Sequence, residues 1–216
     1  MRVRPAALGV ALAAALAAAP VWAAEPRQPA TPAEIVEYRE SGEWDADLDT
    51  VTAGARAYLA DHLDEPRPAI VLDVDDTSLS NYDCLRAADF DRRAAGDACA
   101  MSGSLPAIRQ TLELFRYARS ERVAVFFISG RRERQRGATI ANLRSAGYRG
   151  LWTLHLRPNR QPRSQRAGWK ARVRRSLVRR GYRIVVNVGD QRSDLTGGSA
   201  LRGFKLPNPM YTIPVA

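Results

Sequence analysis

Three side chains in five residues could do chemistry together. Asp73, Asp75 and Thr77 stand in the stretch Ala69 to Asn81, read AIVLDVDDTSLSN. Two carboxylates at this spacing can divide a reaction, one attacking an electrophile while the other moves protons. A divalent cation can offset their repulsion. The apolar run Ala69–Leu72 after Pro68 reads as a buried strand of a parallel sheet. Carboxylates at the carboxyl end of such a strand lie where open α/β sheets bind ligands. The plainer reading is a capped helix start, with Asp76 or Thr77 as N-cap.

Further strand ends add to this constellation. Val123–Ile128 is a second buried strand, ending in Ser129-Gly130-Arg131. A hydroxyl and backbone N–H groups there can face an anion. Leu151–Leu156 is a third strand, and Ile184–Val188 a fourth. The fourth ends in Gly189-Asp190-Gln191-Arg192-Ser193-Asp194, a second acidic pair. Asp190 directly follows a buried run and is hard to explain without a cation, whereas Asp194 can also be a helix N-terminal charge. Helices alternate with the strands, which predicts a parallel sheet with right-handed crossovers and all these ends on one edge.

The positioning elements follow from periodicity and caps. Thr31-Pro32-Ala33-Glu34 predicts a capped helix over Pro32–Ser41. Apolar spacing predicts further helices over Asp45–Leu63, Pro106–Ser120 and Glu133–Ser145. A helix over Ser164–Arg180 would turn Val173, Leu177 and Val178 inward. Phe204–Tyr211 reads as a short last strand and a proline-locked turn. Residues 78–104 are too long for a simple strand-to-helix turn and read as a small cap insertion. Cys84 and Cys99, the only cysteines, lie inside it.

Met1–Ala24 has a basic start, an alanine-rich apolar run and small residues suited to cleavage, the pattern of a signal peptide. The run is shorter than the ~20 residues needed to span a bilayer, and no cysteine follows it for lipid attachment. The expectation is a periplasmic or secreted protein of one domain, residues 25–216, with no stable membrane anchor. Export would favour a Cys84–Cys99 disulfide. Two cysteines without nearby histidine exclude a thiolate metal site. Neither cysteine is followed by arginine six positions on, so a cysteine-phosphatase loop is absent. His62 and His155 are the only histidines, and neither lies in an Arg-His-Gly motif.

The net charge is +10, much of it in Arg157–Arg183. That face is most simply solvated, and its field would draw anionic substrates. No stacking platform or groove-reading motif accompanies it, so no specific nucleic-acid binding is expected.

Taken in order, Asp73-Val74-Asp75-Asp76-Thr77, Ser129, Lys170, and Gly189-Asp190 with Asp194 resemble the four motifs of the haloacid dehalogenase-like (HAD) phosphatases. The segments LDVDDTSLSN, FFISGR, GDQRSDL and FKLPNPMY are similar to the acid phosphatase branch, subfamily IIIB. That branch includes plant vegetative-storage-type proteins and bacterial secreted class B and C acid phosphatases. The resemblance covers about Glu34–Tyr211. It implies a Rossmann-like α/β fold, strand order 5-4-1-2-3, and helices on both sheet faces. It also implies a magnesium-dependent acid phosphatase acting on small phosphomonoesters. Asp73 would be the nucleophile and Asp75 the general acid and base. Ser129, Gly130 and Lys170 would hold phosphate, with Lys170 pointing into a solvated cleft. Asp73, Asp75, Asp190 and Asp194 would hold Mg2+, and Thr77 would orient the loop. Asp76 replaces a glutamate common in the branch, and the lipid-anchored cysteine of some bacterial members is missing. Two other activities fit the same motifs: a phosphotransferase, or a storage or binding protein with a vestigial site. Some storage-type relatives have lost the nucleophile, which is present here.

Overall fold

The computed structural model describes residues 31–213 except Gly96. The Met1–Ala24 leader lies outside the described residues. Five strands form one parallel sheet: β1 (Pro68–Leu72), β2 (Ala124–Arg132), β3 (Thr153–Arg157), β4 (Arg183–Gly189) and β5 (Arg202–Lys205). Their order is β3-β2-β1-β4-β5, the order implied by the resemblance.

Apolar alternation on both sheet faces explains why these runs are strands. Ile70, Leu72, Val125 and Phe127 pack on one side. There they meet Leu48, Ala55 and Leu59 of α2 (Glu43–Ala60) and Phe115 and Ala118 of α6 (Arg109–Ser120). Ala69, Val71, Phe126 and Ile128 face the other way, onto Trp169 and Leu177 of α8 (Arg166–Arg179). Burying both faces is what makes the central strands read as unbroken apolar runs.

The remaining helices are α1 (Pro32–Glu40), α3 (Tyr82–Arg86), α4 (Arg92–Ala95), α5 (Ala98–Met101), α7 (Arg136–Ser145) and α9 (Arg192–Leu195). The Thr31 capping box that opens α1 is formed, with Glu34 N–H on the Thr31 hydroxyl and Glu34 carboxylate on the Thr31 N–H. Three short helices, α3 to α5, fill the 78–104 segment, and Cys84 of α3 is disulfide-bonded to Cys99 of α5.

Two expectations need correcting, and one alternative falls away. No helix starts at Asp76 or Thr77, so the plainer reading of that stretch does not hold. Asp76 takes a left-handed backbone (φ 54°), and the next helix opens at Tyr82. Strand β2 does not end at Ile128 but runs on to Arg132, with an irregular register between Ser129 and Arg132. Val178 is 43% exposed, so the inner face of α8 is carried by Trp169, Val173 and Leu177.

Candidate active site

Strand pairing brings the two acidic ends together. Leu72 of β1 stands opposite Val188 of β4, and the Asp73 N–H donates to the Val188 carbonyl at 3.0 Å. Asp73 and Asp190 therefore leave adjacent strands at the same level. Asp194 folds back from α9 onto the same point. One oxygen from each of Asp73, Asp190 and Asp194 lies within 4.8 Å of the others, and all three residues are buried.

The return of Asp194 needs Gly189. A Cβ there would stand 2.3 Å from the Asp194 Cβ, an approach no side chain permits. The Gln191 N–H donates to Asp194 Oδ2 at 2.9 Å. Asn187 Nδ2 and Arg174 Nη1 donate to the Asp194 carbonyl. Asp194 is thus a helix-terminal charge and a member of the carboxylate cluster at once.

Lys170 comes from the opposite side of the sheet edge, on α8. Its Nζ donates to Asp73 Oδ1 at 2.5 Å and Asp194 Oδ1 at 2.6 Å. The side chain is 3% exposed, so the expected solvated placement is wrong. It is buried because Asp194 closes over it from the β4 side. Burial alone would lower the Lys170 pKa, but the Asp194 and Asp73 charges and hydrogen bonds leave it raised.

Asp75 is held differently. Arg131 Nε donates to both Asp75 oxygens at 3.1 Å, and Nη2 donates to Oδ1 at 2.8 Å. Asn81 Nδ2 adds a contact at 3.3 Å. Burial pushes Asp75 upward, yet the Arg131 charge and these hydrogen bonds leave its pKa lowered. Asp73 shows the reverse balance. Burial, reinforced by Asp194, Asp190 and Asp75, raises it well above the usual carboxylate range despite Lys170.

Other placements complete the site. The Thr77 hydroxyl donates to Asp190 Oδ1 and accepts from the Asp190 N–H, both at 3.0 Å, tying the two strand-end loops together. Ser129 is fully buried and its Oγ accepts the Arg131 N–H. Gly130, Asp73, Asp75, Lys170, Asp190 and Asp194 line one cavity of about 110 Å³. Helices α3 to α5 contribute Leu85, Arg92, Cys99 and Ala100 to its wall.

Several site residues were not assigned from sequence. Arg131 clamps Asp75, and Asn81 reaches both Asp75 and Asp76. Tyr211 donates to Asp76, while Asn208 and Gln191 donate to Asp190 Oδ2. Arg131 had a signal, a charge immediately beyond a buried strand on the same sheet edge as the acidic ends.

The donor set fits a hard divalent cation. The buried Asp73, Asp190 and Asp194 and the half-buried Asp75 face Lys170 and Arg131, so carboxylates outnumber cations at this point. Burial, then Asp194 and Asp76, pushes Asp190 up to about 7, the response of a carboxylate lacking a counter-charge. All the oxygens are of the type magnesium prefers.

A parallel sheet with carboxylates at the ends of two adjacent strands and a buried lysine between them is an arrangement of the HAD type. The family model for the HAD superfamily, subfamily IIIB (acid phosphatase) matches residues 8–214, and the chain belongs to that family of phosphoric monoester hydrolases. It is 35% identical over 186 residues to Acid phosphatase 1 of Solanum lycopersicum, covering 83% of this chain and 73% of that protein. It is 34% identical over 184 residues to the Stem 28 kDa glycoprotein of Glycine max, covering 82% and 72%. The Class C acid phosphatase from Bacillus anthracis superposes with a TM-score of 0.68 at 25% identity, over 82% of this chain and 83% of that one. Among the described residues, no helix is long and apolar enough to cross a membrane.

Proposed function

We propose that this chain is an exported, magnesium-dependent acid phosphatase that hydrolyses small phosphomonoesters through an aspartyl-phosphate on Asp73. The carrying observation is the meeting of Asp73, Lys170, Asp190 and Asp194 at the floor of one cavity.

Asp73 attacks phosphorus, forming an Asp–O–P bond as the ester P–O bond breaks. Asp75 gives a proton to the leaving oxygen. Burial raises its pKa but Arg131 leaves it lowered, so the protonated form that can do so grows toward acid pH. Water then attacks the same phosphorus, Asp75 takes the water's proton, and Asp73 and inorganic phosphate are released. Arg131 and Asn81 fix the Asp75 carboxyl against the strand end. Lys170, Ser129 and the backbone N–H of Gly130 are the groups assigned to the phosphoryl oxygens, where charge stabilisation dominates. Asp73, the Asp75 carbonyl and Asp190, supported by Asp194, would hold magnesium. When bound, the ion supplies positive charge to the transferring phosphoryl group.

Export is supported by the Met1–Ala24 pattern and by the Cys84–Cys99 disulfide. Helices α3 to α5 act as a small cap that closes one wall of the cavity. A storage role with a vestigial site is disfavoured because Asp73, Asp75, Lys170 and Asp190 all stand in place.

The test is a panel of phosphomonoesters assayed before and after chelation. The expected result is turnover that EDTA abolishes and magnesium restores. Full activity after exhaustive chelation would contradict the metal assignment.

A further inference from the structure

The mouth of the cavity carries arginines that the hydrolysis above does not use. Arg132, Arg157, Arg163 and Arg166 line the same cavity as Asp73 and Lys170. Among the described residues, Asp97 is the one carboxylate that meets this group, 3.5 Å from Arg163 and also bound to Arg134 at 2.5 Å. Arg132, Arg157 and Arg166 have no acidic partner there. The Arg166 Nε is buried without any hydrogen-bond acceptor.

The cluster is built against the phosphate end of β2. Arg157 is 1% exposed, and its Nε donates to the Gly130 carbonyl at 3.2 Å. Arg166 crosses the other side of the same residue, where a Cβ on Gly130 would stand 2.6 Å from its Nε. Gly130 therefore lets one guanidinium pass beside the strand end while a second grips its carbonyl. Packing like charges this closely is unfavourable without a counter-ion. Burial first, then Arg132, Arg166 and Arg163, pushes Arg157 down to about 10.

One phosphoryl group cannot neutralise both ends of this cavity. Lys170 and the strand-end groups at the floor already serve the transferring phosphoryl. A water needs roughly 10–15 Å³ on the same measure, so the cavity has room beyond a single small anion. Guanidinium forks match phosphate oxygens in geometry and charge.

We infer that Arg132, Arg163 and Arg166, braced by Arg157, whose Nε and Nη1 are held by the Gly130 and Gln161 carbonyls, form a second oxyanion subsite, selecting phosphomonoesters that carry a second phosphoryl group on a short spacer. This rests on the phosphatase reading for which phosphoryl group is cleaved, but the subsite itself is a binding claim.

Two measurements separate those claims. The first compares kcat/KM for propanediol bisphosphate and propyl phosphate in the wild type and in the double variant Arg163→Gln, Arg166→Gln. Both positions lie outside the core, so the variant keeps the packing of α8. The wild type is expected to prefer the bisphosphate by about tenfold or more, the size of one charge-assisted contact, and the variant to approach parity. The second is calorimetry with propane bisphosphonate and propyl phosphonate, neither of which turns over, in excess magnesium. Tighter bisphosphonate binding that the double variant loses supports the subsite even if neither ester is hydrolysed, and that combination would sink the phosphatase reading alone. Equal binding of the two phosphonates by the wild type, or a preference that survives in the variant, would overturn the subsite while leaving hydrolysis of propyl phosphate intact.

Discussion

At the floor of the cavity, Asp73, Asp75, Asp190 and Asp194 are gripped by Lys170, Arg131, Thr77, Asn208 and backbone groups, whereas at its mouth, of the four arginines Arg132, Arg157, Arg163 and Arg166, only Arg163 meets a carboxylate, Asp97, among the described residues. The floor has an excess of negative charge that is buried and rigidly bonded. The mouth has an excess of positive charge that is partly open to solvent. The first arrangement suits a bound cation and a defined reaction path. The second suits capture of an anion arriving from water. On the proposed function and the inferred subsite, reaction type and substrate choice would be carried by different ends of one cavity, and each can be perturbed separately.

Lys170 gives the largest expected effect. Arginine keeps the charge, but a planar guanidinium is too wide for the slot between Asp73 Oδ1 and Asp194 Oδ1. Lys170→Arg should lose ~10²–10³-fold in kcat/KM, as for removal of one well-placed electrostatic group. Lys170→Ala should be at least as damaging. Because the residue is buried, it should also destabilise the metal-free protein by ~3–5 kcal/mol, through two carboxylates left without their ammonium. Steady-state kinetics and thermal melts with and without EDTA check both parts. Near-normal kinetics in Lys170→Arg would move the phosphate-binding role to a mouth arginine and dissolve the division between floor and mouth.

A smaller effect should come from the wall. Cys84 and Cys99 are separated by 15 residues, and closing a loop of that size contributes ~3 kcal/mol on the chain-entropy view. The Cys84→Ser, Cys99→Ser pair should lower the thermal midpoint and raise KM more than it lowers kcat, because the bond braces the wall and leaves the floor untouched. A fall in kcat with KM unchanged would show that helices α3 to α5 act on the floor directly. Non-reducing mass analysis of the wild type should find no free thiol.

Much of this layout was legible in the chain. Ala69–Leu72, Val123–Ile128 and Ile184–Val188 stand out because strands buried on both faces are almost wholly apolar; Asn187, the polar exception, donates to the Asp194 carbonyl. Asp73 and Asp190 stand out because each follows such a run directly. Lys170 is visible by contrast, being one of two lysines among 33 basic residues. Its burial was not legible, since it depends on Asp194 folding back past Gly189 from a different strand. The Arg131 clamp on Asp75 joins residues 56 apart, and the Tyr211 contact to Asp76 spans 135. Such pairings exist only once the strand order is set. Val178 misled because apolar spacing marks a stripe on a helix without saying how wide a stripe the sheet covers.

The central claim is that Asp73 carries the phosphoryl group. The direct test is to acid-quench the magnesium-loaded enzyme during turnover of a radiolabelled phosphomonoester and map the label. A hydroxylamine-sensitive acyl-phosphate should appear on the peptide containing Asp73, and Asp73→Asn should show neither label nor turnover while keeping its fold. Wild-type-like turnover in Asp73→Asn, or label on another residue, would contradict the account.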